Sequence, residues 1–344
     1  MTQMPNPLQA VTHPDAEALY EQLLCQPFHY SPLAKCWVAT SSEEVVTVLD
    51  DPRCRVRPVH QPVPPFLSGS VAGEIFALLA RMTEGEGHLQ IKASLIQSLE
   101  HFSEHEIRIQ VATVATALQA ESPLEFAYQM PVLSMGKLLG VPAVELDQLA
   151  ILVKAFTACI TPGSPSHEVQ EGIHAAPSLW RFMEERLDST FVSSLPQKTR
   201  VANAIGLLWQ GYDSTASLIL HGMLALEHRL LPVDWNAFLT ELIRVAAPIQ
   251  NTRRFMGEAG VLLEQNVEAG DTVLLLLAAA NRTATGAGLS FGHGVHRCPG
   301  QRLATLIAEI ALACWHGSRT PAPLFHSGFK PSLNARIPLL EALQ

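Results

Sequence analysis

Apolar positions recur at helical spacing along most of this chain, and the breaks between them fall at glycine and proline. The pattern predicts helices over Asp15–Leu24, from Ser41 through Leu49, Gly73–Arg81, about His88–Leu99, Glu104–Leu118, Phe126–Leu139 and Ala143–Cys159. Further helices are expected up to Leu187, over Thr199–Glu227 and Asn236–Val245, and from just after Cys298 to about Trp315. Gly140-Val141-Pro142 reads as a helix stop and restart. Ser41, followed three residues later by Glu44, has the form of a capping box. Period-two signal is sparse. Trp37–Thr40 is a short strand, and Val261–Leu263 with Val273–Leu277 read as a hairpin through Glu268-Ala269-Gly270-Asp271. Gln250–Phe255 reads as an extended basic segment and Glu84-Gly85-Glu86-Gly87 as a turn. Asp51–Phe66 holds five prolines and is expected to be loop. The fold class is therefore mainly α with small β-sheets.

One helix departs from the amphipathic pattern. Thr199–Glu227, about 29 residues or roughly 43 Å long, is apolar nearly all round and should run through the core. In its middle stand Gln210-Gly211-Tyr212-Asp213-Ser214-Thr215. A glycine, an acid and two hydroxyls inside a buried helix all lower its stability. Hydroxyls there loosen a turn by bonding back to the i−4 carbonyl. Two readings follow: a satisfied polar kink, or a helix opened beside a reaction centre.

Composition narrows the classes. Hydrophobic residues make up 48% of the 344 and charged residues 16%, which indicates a large core. The net charge of −9 lacks the clustered basic footprint of a nucleic-acid binder. No run of 18 apolar residues occurs, and the first residues carry neither a basic nor an apolar targeting segment. A soluble, cytoplasmic, single-domain protein over 1–344 is expected, with residues 1–12 as a loose lead-in. Its six cysteines lack CxxC pairing and read as free thiols.

The most specific chemistry lies in Leu289–Ala304, LSFGHGVHRCPGQRLA. Its glycines allow close backbone approach to a ligand, and Pro299 is suited to the first position of the helix that follows. Cys298, just ahead of that helix, would be held as thiolate by the dipole. Such a loop presents sulfur to a flat metal cofactor, although a buried, inert cysteine in a turn is the bland alternative. Upstream, Glu241 and Arg244 are three apart on a helix, and His88 and Lys92 four apart on another. Zinc at His293, His296 and Cys298 is disfavoured, because structural zinc takes four ligands at motif spacing.

With these residues in hand, the chain resembles the cytochrome P-450 superfamily, the haem-thiolate monooxygenases. Phe291–Gly300 matches the pattern FGxGxHxCxG at every specified position, and Glu241-Leu242-Ile243-Arg244 matches ExxR. Gly211–Thr215 resembles the oxygen-activating centre of the family's long distal helix. His88…Lys92 resembles its HxxxR segment, and Leu138–Pro142 matches a further common stretch. The resemblance covers residues from about 30 to 320. It implies the cytochrome P-450 fold, with a long central distal helix and a proximal cysteine-ligand loop, binding heme b (iron protoporphyrin IX).

By this resemblance Cys298 is the proximal thiolate, donating electron density that favours O–O cleavage. Phe291 packs by the sulfur, and backbone N–H groups after the glycines, with Gly300 closing the motif, tune it. His296, Arg254 and His88 contact the haem propionates, with Lys92 and Arg253 as weaker partners. Glu241 and Arg244 buttress the proximal side, and Gly211 lets the distal helix approach the haem. Asp213 with Ser214 or Thr215 relays protons to the site of oxygen activation. The implied partners are O2, a small organic substrate and a ferredoxin-type electron donor. Substrate-pocket walls are expected at Arg57–Phe66, Leu78–Met82, Thr161–Ser166, Leu208–Tyr212 and Ala247–Asn251.

Two departures from the family pattern bear on function. Only Thr283–Ser290 separate Asn281-Arg282 from the cysteine loop, where the family has some tens of residues in a "meander". The connection Arg229–Trp235 is short as well. Besides the ferredoxin-driven monooxygenase, a peroxide-using haem-thiolate enzyme and a non-oxygenating haem protein (sensor, carrier or degenerate partner) are the alternatives.

Overall fold

Valines and leucines in the strand Thr272–Leu275 are buried in succession on both faces, which is the pattern of a central strand covered from both sides. A computed structural model describes residues 4–118, 122–161, 163–227, 229–286, 288–318 and 323–342 of the chain. These fall into two units, one of Met1–Pro62, Asp234–Cys298 and Ser327–Leu339, the other of Val63–Val233, Pro299–His326 and Leu340–Gln344.

The first unit is organised on a five-stranded sheet. Its strands run in the order Phe28–Ser31, Cys36–Ala39, Thr272–Leu275, Thr252–Met256 and Cys54–Arg55. Only the pair Cys36–Ala39 with Thr272–Leu275 is parallel, in the register Trp37 opposite Val273. Because side chains alternate across a sheet, neighbouring residues feed different cores. Val38 and Leu274 join Tyr20, Leu23, Leu276 and Ala279. Ala39, Val273 and Leu275 join Val45, Val48, Leu277 and Leu289.

Several sequence expectations are corrected here. Val261 and Val273 are not hairpin partners. Gly260–Leu262 pairs with Gln265–Val267 instead, while Thr272–Leu275 enters the larger sheet. Its apolar run is too deep for a two-stranded ribbon. The basic segment is a true strand, Thr252–Met256, and a short helix, Leu277–Thr283, forms where none was expected. Ser41 precedes the helix Ser42–Asp50, but its hydroxyl bonds the Glu44 carboxylate and caps no backbone N–H.

The second unit is helical. Val71–Leu78, Gly85–His101, Glu104–Ala117, Pro123–Leu138, Leu146–Ile160, Ser166–Arg186, Gln197–Leu226 and Gln301–Ser318 agree with the periodicity to within a few residues, and short 3₁₀ turns form at Ala80–Met82 and Ala143–Glu145. The expected turn at residues 84–87 is absorbed into the helix starting at Gly85. Gly140, at φ 94°, lets the Val141 N–H close back on Gly136 O at 3.0 Å, which makes the expected stop. Helix Gln197–Leu226 packs against Pro123–Leu138 and Gln301–Ser318. Among the described residues, no helix is long and apolar enough to cross a membrane.

Candidate functional site

In the first unit the cysteine loop is shaped by two glycines in the left-handed region. Gly292 and Gly294 have φ of 73° and 61°, and a Cβ on Gly294 would sit 2.7 Å from Asp50 Oδ1. Close approach brings His293 Nε2 to 3.2 Å from Asp50 Oδ2, tying the loop to the helix Ser42–Asp50. A single 3₁₀ turn, Gly294–His296, follows, and the Cys298 N–H donates to Phe291 O at 2.9 Å. The motif thus closes on itself, with the thiol of Cys298 exposed. Pro299 is not the first helical residue. The N–H of Ala304 donates to Gly300 O at 2.9 Å, so Gly300 caps the helix and Pro299 precedes it.

The other cysteines sharpen this contrast. Burial pushes the thiols of Cys54 and Cys159 up to about 12 and also raises those of Cys36 and Cys314. Each behaves as a small hydrophobe. Cys25, the other exposed thiol, donates to Glu21 O within its own helix turn. Cys298 alone combines exposure with a glycine-shaped loop.

Around that loop the first unit holds the other proximal candidates. Arg254 lies on strand Thr252–Met256, is 7% exposed and donates to Arg253 O at 2.9 Å. His296 sits in the 3₁₀ turn and is half-buried. Glu241 and Arg244 form the expected pair, in fork geometry at 2.7 and 2.8 Å, and the guanidinium's hydrogen bonds hold the Glu241 carboxyl below the ordinary range.

The distal candidates lie in the second unit, on helix Gln197–Leu226. That helix is continuous, so the opened-helix reading is not met. The back-bond is present, since Ser214 Oγ donates to Gln210 O at 2.8 Å. Residues 201–206 and 215–220 are buried, yet Trp209 to Ser214 are not, which leaves an uncovered window in the middle of a core helix. Gly211 faces open space: a Cβ there would meet only Thr215 Oγ1, at 3.8 Å.

Asp213 has a partner that sequence reading missed. Tyr128, on helix Pro123–Leu138, donates its hydroxyl to Asp213 Oδ1 at 3.2 Å, and its ring packs on Tyr212 with centroids 4.7 Å apart. Burial, with the Asp213 charge nearby, pushes both phenols well above their ordinary range, so they stay neutral donors. Tyr128 carries no sequence signal, because only the pairing of two distant helices brings it to Asp213.

His88 and Lys92 share a face of Gly85–His101 as expected, but the His88 ring is 3% exposed and its Nδ1 is bonded to Ala80 O at 2.8 Å. Asn203 holds that turn in place by accepting from Ala80 N and donating to Leu78 O and Thr199 O, each at 2.9 Å. An asparagine in an apolar helix was the available clue. The expected pocket wall at Thr161–Ser166 includes residue 162, which lies outside the described residues.

These features can be tested against a flat, dianionic cofactor with an open metal position. An exposed thiol on a closed loop is a sulfur ligand in waiting. Arg254 stands on the strand and His296 on the turn of the same unit. The donor set fits haem.

Comparison with known proteins agrees. No protein-family profile matches the chain. Vitamin D(3) 25-hydroxylase of Pseudonocardia autotrophica is 29% identical over 60% of this chain and 62% of its own length, so that match spans less than two thirds of the relative. Cytochrome P450 CYP107DY1 of Priestia megaterium is 22% identical over 82% of both. Among solved structures, CalO2 superposes with a TM-score of 0.81 at 17% identity, over 100% of this chain and 99% of that one. P450BioI, solved with an acyl-carrier-protein complex, gives 0.78 at 21% identity over 95% and 97%. The fold is the cytochrome P450 fold. The chain is similar to bacterial cytochromes P450, a family whose cofactor is haem b.

Proposed function

We propose that the protein is a monooxygenase that oxidises a small to medium, largely apolar organic molecule. One oxygen atom of O2 enters the substrate and the other leaves as water, with two electrons and two protons supplied. The observation that carries this reading is the exposed thiol of Cys298 on a loop closed by its own backbone. Bacterial relatives named as hydroxylases and monooxygenases support it.

Cys298 would hold the haem iron, and His296, Arg254, His88 and Lys92 would meet the propionates through charge-assisted bonds. Haem held in this way supplies the oxygen-activating and one-electron chemistry. The protein's own part is then positional and protonic. Phe291 and the loop N–H groups surround the sulfur, shielding it and accepting part of its charge. Gly211 leaves room beside the distal helix. Asp213, held by Tyr128, passes protons inward with the hydroxyl of Ser214 or Thr215 as its partner. A separate ferredoxin and reductase in the cytoplasm supply the electrons, and residues 1–344 work as one haem-binding domain.

The test is the reduced protein's spectrum with carbon monoxide. A strongly red-shifted Soret band is expected, and it should vanish in Cys298→Ser. Persistence of the band in that variant would sink the assignment.

A further inference from the structure

The loop that carries Cys298 begins only a few residues after helix Leu277–Thr283, and its root is fixed largely by one buried side chain. Asn281, in the last turn of that helix, is 1% exposed. Its amide oxygen accepts from the Leu289 N–H at 2.7 Å. Its amide nitrogen donates to Ser290 Oγ at 2.8 Å and to Arg244 O at 3.1 Å. Ser290 Oγ in turn donates to Ile243 O at 3.0 Å. The orientation of the amide follows from these partners, since a backbone N–H must meet the oxygen.

Two consequences follow from this arrangement. Arg244 O, near the end of helix Trp235–Ala246, has no backbone N–H four residues on because Pro248 stands there, and Asn281 supplies its donor. Ile243 O already accepts from the Ala247 N–H at 3.1 Å and takes a second bond from Ser290, so the two side chains join the helix bearing Glu241 and Arg244 to the root of the loop. From that root the bonding continues forward. Gly292 N donates to Leu289 O at 2.8 Å, and Cys298 N donates to Phe291 O at 2.9 Å. Gly288 completes the seat, because a Cβ there would lie 2.6 Å from Asn281 Oδ1. A continuous path of side-chain and backbone bonds therefore runs from the end of one helix to the cysteine's own N–H.

We propose that Asn281 is a positioning residue for Cys298, setting the angle at which the sulfur is presented; this rests on the haem-thiolate reading. A residue that merely stabilised the fold would lower the unfolding midpoint and leave the ligation state alone. A positioning residue changes how firmly the thiolate form is held in the folded protein.

Haem-loaded wild type, Asn281→Ala, Ser290→Ala and Cys298→Ser are compared by haem content, unfolding midpoint and the carbon monoxide spectrum of the reduced protein. In the folded Asn281→Ala protein the red-shifted band should decay to the unshifted, thiol-type band about tenfold faster than in wild type. That is the factor expected when about one hydrogen bond's worth of the three lost bears on how the sulfur is held. Ser290→Ala should lie between the two, and it carries the test if Asn281→Ala does not fold. Bands that decay at the wild-type rate in the folded variants, with or without a lowered midpoint, overturn the proposal. A wild type that never shows the red-shifted band, or a Cys298→Ser protein that keeps it, overturns the haem-thiolate reading itself.

Discussion

The central helix contains glycines whose surroundings differ sharply, so alanine substitutions in one element should change stability in opposite directions. Gly→Ala in a helix interior removes a backbone-entropy cost of about 0.5–1 kcal/mol. At Gly211 nothing opposes that gain, because the added methyl meets only Thr215 Oγ1 at 3.8 Å, an ordinary contact. At Gly222 the same methyl would lie 2.4 and 2.9 Å from the two methyl groups of Leu312, which is itself buried. Overpacking of this kind costs about 1–3 kcal/mol, so the net change there is a loss of up to about 2.5 kcal/mol. Urea unfolding of the haem-free protein should therefore place Gly211→Ala above wild type and Gly222→Ala below it. Loading haem should erase or invert the Gly211→Ala gain, because the new methyl then occupies the space the cofactor needs, while the Gly222→Ala deficit stays constant. A Gly211→Ala gain of equal size with and without haem would refute the assignment of this face to the cofactor. A loss in the haem-free protein would refute the open window itself.

Asp213→Asn should slow oxygen-dependent turnover about a hundredfold or more and leave haem content unchanged. Tyr128→Phe, which removes only the carboxylate's donor, should slow it about fivefold; if neither changes turnover, the proton path lies elsewhere. Alkaline stability follows from the buried thiols. Cys54 and Cys159 are raised from 9.0 to about 12 by burial, so above pH 9 the unfolded chain releases protons that the folded one keeps. Stability should fall between pH 9 and 12, by up to about 1.4 kcal/mol per pH unit for each thiol. Cys159→Ala should flatten that slope when unfolding midpoints are measured across the range, and an unchanged slope would count against the burial argument.

Much of the helical order was legible in the chain because 3.6-residue periodicity is a local signal, and the stops at Gly140 and Pro142 are local too. The cysteine motif could be read for a related reason. Positive φ at Gly292 and Gly294 and a helix cap at Gly300 are demands a short stretch makes on its own residues. Pairing between strands is not local. Thr272–Leu275 reads as half of a hairpin until tertiary contacts give it Cys36–Ala39 on one side and Thr252–Met256 on the other. The same limit hid Tyr128 from Asp213, and Asn281 from Arg244, since hydrogen bonds across 85 or 37 residues leave no periodicity. The sequence by itself determined the candidate residues and the helices that bear several of them. Only the tertiary structure decided which neighbours hold those residues in place, because buried polar side chains take whatever partners packing brings within 3 Å or so.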